Sequence, residues 1–362
     1  MIDTIILMFE NSNFRILDYN AFTPSAHRIF NGRNENERCY KNATEEDKKN
    51  GIYKPKLTLL KIKFDYGYGI CLFVEFSAPK LLLSNNIDEL DDEDFESLVD
   101  ILSQRLFEMS VNIERKNLIN AKTSKIHYSK NIDITNYGNC LDVINIIHKA
   151  DIYKKLESSR ERFKNDGQLI RFYSKRYECC FYDKIKEHFS LRGEEKKENQ
   201  SQTELFNHLK DKQLFRMEFR FNEMDKLKEI FPKLNINISE FTFRNLFRKE
   251  IARRVCGHYW QIINNTCLVP IFGKNDEENI KNNLINQGFS TRDAFELVYS
   301  IKYANTHGMR KLKTECPSLY KKVRDINLLY EILTESPMYS VFQNITRSVD
   351  RFERLRLSDM FC

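Results

Sequence analysis

Apolar and polar side chains alternate most strictly in QLFRMEFRFN (213–222). Phe215, Met217, Phe219 and Phe221 fall on one side, and Arg216, Glu218 and Arg220 on the other, which is the two-residue period of a strand. The same division at 71–78 sets Leu72, Val74 and Phe76 against Glu75 and Ser77. At 124–129 it sets Ile126 and Tyr128 against Lys125, His127 and Ser129. At 178–184 it groups Glu178, Cys180, Tyr182 and Lys184. Hairpins are predicted from KLTLLKIKF (56–64), DYGYG and ICLFVEFSAP (70–79), and from QLIRFYS (168–174) with YECCFYDK (177–184). MIDTIILMFENS reads as a first strand, because it lacks the basic leader and small-residue cleavage site of a signal peptide.

Helical spacing begins at Asp91 and Asp92, with Phe95, Leu98, Leu102, Leu106 and Met109 on one stripe. A helical stretch is expected around 140–164, and polar loops at 31–54 and 190–204. Beyond Pro232 the pattern turns helical, near 240–256, 276–287, 291–305, 317–333 and 340–356, with Ser290 as N-cap and Gly308 as a stop. This change divides the chain into 1–235 and 236–362. The expected fold is α+β: an antiparallel sheet with helices on one face, followed by a mostly helical C-terminal region.

Across 362 residues, 41% hydrophobic and 12% aromatic content describes a folded chain, and a net charge of +6 admits an anionic partner. Nine scattered cysteines without a CxxC point to reduced thiols in a cytosol rather than to zinc or disulfides. No 18-residue apolar segment exists, which excludes an ordinary membrane span.

Each strand therefore offers one chemically capable residue on its polar side: Glu75, His127, Tyr182 and Glu218. Two carboxylates and an imidazole suit Mg²⁺ or Mn²⁺. Tyr182 beside Lys184 suits a phenolate that attacks phosphorus, with Arg216 and Arg220 holding phosphates. The competing reading is a salt-bridged, solvated sheet face.

VEFSAPKLLLSNNIDEL (74–90), SKIHYSKNI (124–132), FYDKIKE (181–187) and FRMEFRF (215–221) occur in the order seen in filamentous-phage gene II/X replication proteins, and MIDTI resembles that family's start. Related short elements occur in plasmid rolling-circle initiators. The resemblance covers Met1 to about residue 235. It implies a Rep/relaxase-like catalytic domain that nicks one origin strand through a tyrosine, keeps the 5′ phosphate, and rejoins the displaced strand. Carried over by position, Tyr182 is the nucleophile, and Glu75 and Glu218 are acidic site residues. His127 stands where relatives often have aspartate. The paired histidines of the broader relaxases are absent. The implied partners are origin DNA, double- and single-stranded, with a host helicase and a homodimer admitted and no membrane. The implied location is the bacterial host cytoplasm. Tyr173 and Tyr177 are candidates for a second tyrosine.

FTFRNLFRKEIARRVCGHYW (241–260) sets Arg244, Arg248, Lys249, Arg253 and Arg254 beside Leu246, Phe247, Ile251 and Val255, a basic helix suited to phosphates. Residues 290–313 offer a second, helix-turn-helix-like candidate. The readings that compete with a nickase are a DNA-binding replication regulator that does not cut, and an interaction protein with a packed sheet.

Overall fold

The computed structural model describes residues 1–31, 37–65, 67–150, 152, 155–158, 160–164, 168–190, 203–266, 276–325 and 337–360. Nine strands form one antiparallel sheet. They are β1 (Ile2–Glu10), β3 (Arg38–Lys41), β4 (Lys56–Phe64), β5 (Gly67–Ser77), β7 (Lys122–Asp133), β8 (Arg160–Lys164), β9 (Leu169–Tyr173), β10 (Tyr177–Asp183) and β11 (Leu214–Phe221). Their spatial order is β3-β4-β5-β1-β7-β11-β10-β9-β8, and β2 (Arg15–Ile16) pairs separately with β6 (Val111–Asn112).

Alternation decides which face is covered. Ile5, Leu7, Phe76, Ile126, Tyr128 and, from β11, Phe215, Met217, Phe219 and Phe221 are buried in one continuous core. Full burial of each such side chain contributes about 1.5–3 kcal/mol relative to leaving it exposed. The helices Phe95–Glu108, Cys140–Lys149, Lys249–Asn264 and Pro337–Arg351 supply the opposing layer, through residues such as Leu102, Ile144, Trp260 and Ile345. A small second cluster, including Ile87, Ile185, Phe206 and Leu214, forms beside the start of β11.

Several expectations are corrected. The 31–54 stretch contains β3 and a helix, Glu45–Lys49, because Thr44 and Asp47 form a reciprocal capping box. Ala78 and Pro79 leave the predicted strand and open the helix Ala78–Leu83, where proline is tolerated in the first turn. The 140–164 helix ends at Lys149, and 160–164 pairs with β9 as a strand. Lys184 lies outside β10 and begins the helix Lys184–Ser190. Within the predicted 190–204 loop, 191–202 lie outside the described residues; the same holds for 326–333 of the predicted 317–333 helix.

The chain does turn helical beyond β11, but that turn is not a division between cores. Phe243, Ile251, Val255 and Trp260 complete the sheet's own core. A distinct cluster gathers instead among the helices Asp276–Asn286, Thr291–His307, Met309–Glu315 and Pro317–Asp325. Ser290 caps the second of these through the Asp293 amide, and Gly308 follows it at φ +91°, the left-handed region open to glycine.

Candidate metal and nucleophile site

β11 lies between β7 and β10, so each of its polar residues meets two neighbours. Arg220 is opposite His127 and Glu178, Glu218 is opposite Ser129 and Cys180, and Arg216 is opposite Asn131 and Tyr182. β1 adds a residue that strict alternation conceals. Ile2 pairs with Tyr128 and Ile5 with Ile126, so Asp3 and Thr4 together oppose the single His127. This one-residue bulge directs the Asp3 carboxylate to the polar face.

Ligand atoms of Asp3, His127 and Glu218 all lie within 4.8 Å of one another. Glu218 is 2% exposed, and its Oε1 is 3.2 Å from His127 Nδ1 and accepts from Arg220 Nε at 2.9 Å. The Tyr182 hydroxyl donates to Glu218 Oε2 at 2.9 Å, and Arg220 Nη2 donates to the same oxygen at 3.3 Å. Arg216 ties the edge of this group, donating to Asp3 Oδ1 at 2.7 Å and to Asn131 Oδ1 at 2.9 Å. Segment 86–89 meets the Arg216 end of it: Arg216 donates to the Asn86 carbonyl, and the Asn131 side chain donates to the Ile87 carbonyl.

Burial alone drives the Glu218 carboxyl upward, but Arg220, the hydrogen bond with His127 and Arg216 hold it well below the usual carboxylate range. Asp3 is likewise lowered: burial opposes ionisation, and Arg216 overcomes it. Tyr182 shifts the opposite way. Burial, then the Glu218 charge, keep its phenol protonated well above the ordinary tyrosine range. The pair is thus a neutral phenol donating to a firmly ionised carboxylate, a geometry that orients the hydroxyl while both shifts oppose its ionisation.

Two carboxylates and an imidazole nitrogen form a donor set that could hold a metal ion, with Arg220 and Arg216 as the competing cations on the same oxygens. Asp3 was hidden in the sequence, and its signal is the broken alternation of Ile2, Ile5, Leu7 and Phe9.

The other predicted residues are placed differently. Glu75 is exposed, paired in register with Ile6 and Lys56, and stands outside the ligand group because β1 and β7 separate its strand from β11. Lys184 is buried with Nζ 5.7 Å from the Tyr182 ring centroid, and burial draws its pKa down to about 8 against the pull of Glu187. Arg216 is too buried to face DNA as expected, and its terminal nitrogens are taken by Asp3 and Asn131. Arg220 keeps partial exposure beside Glu178. Tyr177 belongs to the core face, stacked on Tyr259, whereas Tyr173 is opposite Glu178 on the polar face.

The basic helix Lys249–Asn264 lies on the sheet's opposite face, since Ile251, Val255 and Tyr259 are drawn into the core. Its cations engage local acids: Lys249 with Asp91 at 3.0 Å, and Arg253 and Arg254 with Glu250 at 2.8 and 2.6 Å. Arg248 is exposed at its N-cap. Among the described residues, no helix is long and apolar enough to cross a membrane.

No family model, curated protein or solved structure matches the chain.

Proposed function

We propose that this chain is a metal-dependent DNA nickase and strand transferase that initiates rolling-circle replication, with Tyr182 as nucleophile. The observation that carries the reading is the Tyr182 hydroxyl, 2.9 Å from a carboxylate of the Asp3–His127–Glu218 group. A tyrosine alone is a weak signal; a tyrosine hydrogen-bonded to a carboxylate within a cation-ligand set supports the reading by its placement, and its activation would fall to the bound cation.

In the proposed reaction the phenol oxygen attacks the scissile phosphorus and its proton passes to Glu218. A phosphotyrosyl bond forms, the P–O3′ bond breaks, and the leaving 3′ oxygen takes up the proton given by Tyr182, which returns Glu218 to its ionised form. Asp3, His127 and Glu218 would hold the divalent cation, which when bound supplies Lewis-acid polarisation of the phosphate. Arg220 is the partly exposed cation beside this group. Because Tyr182 is 4% exposed, the phosphodiester reaches the hydroxyl only when the covering residues part. Origin DNA is the proposed partner, with duplex phosphates taken by Arg248, Lys249, Arg253 and Arg254 on the far face.

The burial of Tyr182, Arg216 and Glu218 supports a second reading, a replication regulator that binds DNA without cutting it and whose polar ladder only holds the sheet together. A nicking assay on supercoiled origin plasmid with Mg²⁺ or Mn²⁺, resolved on denaturing gels for a covalent protein–DNA adduct, separates the two. An adduct supports the nickase; binding with no cleavage in either metal supports the regulator.

A further inference from the structure

The Thr291–His307 helix keeps a row of aromatic rings on the side away from its core. Ala294, Leu297, Val298, Ile301 and Ala304 are buried against neighbouring helices of the distal cluster. Away from that core stand Phe295 (57% exposed) and Tyr299 (63% exposed), and further four-residue steps lead to Tyr303, half-buried and packed partly against the cluster, and to exposed His307. Each step advances about 6 Å along the helix axis. Tyr299 and Tyr303 have ring centroids 6.3 Å apart, and Tyr303 and His307 4.5 Å apart.

One cation lies against this ladder, and the surrounding sequence is basic, although Arg292, Lys302, Lys311 and Lys322 are paired with Glu296, Glu277, Glu315 and Asp293. Lys281, from the preceding helix, lies with Nζ 5.3 Å from the Phe295 ring centroid. Residues 281–324 contain nine Lys and Arg against three Asp and Glu. Protein-docking patches are depleted in lysine, whereas rings interleaved with cations match a polyanion that also presents flat π-faces. In a duplex those faces are stacked away inside; in a single strand they are free.

We infer that the Thr291–His307 helix is a base-stacking platform for single-stranded DNA, with Phe295 and Tyr299 as its principal rings. Stacking on this helix is independent of cleavage at Tyr182. Only the choice of DNA over RNA rests on the nickase reading, in which the displaced strand is DNA.

The test measures fluorescence anisotropy of a labelled mixed-pyrimidine DNA oligonucleotide with the full-length chain in EDTA. The double variant Phe295→Ala, Tyr299→Ala should bind roughly tenfold or more weakly per ring removed. Its salt dependence should keep the wild-type slope, because no cation is removed. Tyr299→Phe should retain affinity, and thermal melting of each variant should match wild type, since both rings are exposed. Double-variant affinity within about twofold of wild type would overturn the inference, given that stacking is removed at two positions. Equal weakening on a blunt duplex would also overturn it, by making the helix a duplex reader, and tighter binding of RNA of the same sequence would overturn the choice of DNA. Ring-dependent oligonucleotide binding by a protein that never nicks would uphold this inference and remove the nickase reading. Nicking with ring-independent binding would do the reverse.

Discussion

Tyr182 and Glu218 are diagonal neighbours on paired strands: the residue directly opposite Glu218 is Cys180, yet the phenol reaches Glu218 Oε2 at 2.9 Å. Tyr182→Phe removes only that donor. Glu218 keeps Arg220, so stability should fall by about 1 kcal/mol. The covalent adduct with end-labelled origin DNA should disappear, while DNA binding persists. Wild-type adduct levels in the variant would transfer the nucleophile to Tyr173, since Tyr177 is stacked in the core.

Glu218→Gln should both eliminate metal-dependent nicking and destabilise the fold. Removing one partner from a buried ion-pair network costs on the order of 3–5 kcal/mol, because Arg216 would remain buried with less compensating charge. Asp3→Asn should weaken Mn²⁺ binding as well, whereas Glu75→Gln, on an exposed and distant strand position, should leave it unchanged. Isothermal titration with Mn²⁺ tests all three. Metal affinity that fell in the Glu75 variant but not in the Asp3 variant would restore the set anticipated from sequence.

Alternation made β10, β11 and β7 beyond Lys125 legible because their apolar faces close on helices; nearer its start β7 breaks the period, where its pairing with β1 shifts between Lys125 and Thr123. It failed at Asp3, where a bulge inserts one residue and shifts the face. It also misplaced Glu75, since face membership does not say which strands are neighbours; strand order is set by distant pairing. The burial of Arg216 was illegible for a related reason: residues 86–89, far away in sequence, bond to it and to its neighbour Asn131. Helix ends at Ser290 and Gly308 were readable because capping chemistry is local.

His188 and Lys184 give the molecule a defined pH response. His188 stacks on Phe206 with centroids 3.9 Å apart, and burial, then Lys184 and Lys80, draw its pKa down to about 4. Between its ordinary value near 6.5 and about 4, the unfolded chain binds the proton that the folded chain refuses. Stability should therefore fall as the pH drops through that window. Lys184, drawn down to about 8, acts in the alkaline window: the unfolded chain holds more protons between about 8 and 10.5, so its contribution to stability rises across that range. Urea unfolding of wild type and His188→Phe at a series of acidic pH values is the measurement. The variant should lose the part of the acid sensitivity that begins below pH 6.5. Identical pH profiles would remove His188 from the account.

The basic helix offers a prediction that its position sharpens. Arg248, Lys249, Arg253 and Arg254 project from a helix packed on the core face, while Tyr182 and Glu218 lie on the other. Their pairs with Asp91 and Glu250 are partly exposed, so each contributes about 0–1 kcal/mol and can exchange for DNA phosphate. Changing all four to Gln should lower duplex affinity and reduce the slope of log K against log salt by about 0.9 for each phosphate no longer neutralised. Cleavage of a short single-stranded origin oligonucleotide should survive, because no atom of the nucleophile site is altered. A parallel fall in oligonucleotide cleavage and duplex binding would mean that the helix supports the site through the sheet. An unaltered salt slope would show that these cations do not neutralise DNA phosphates.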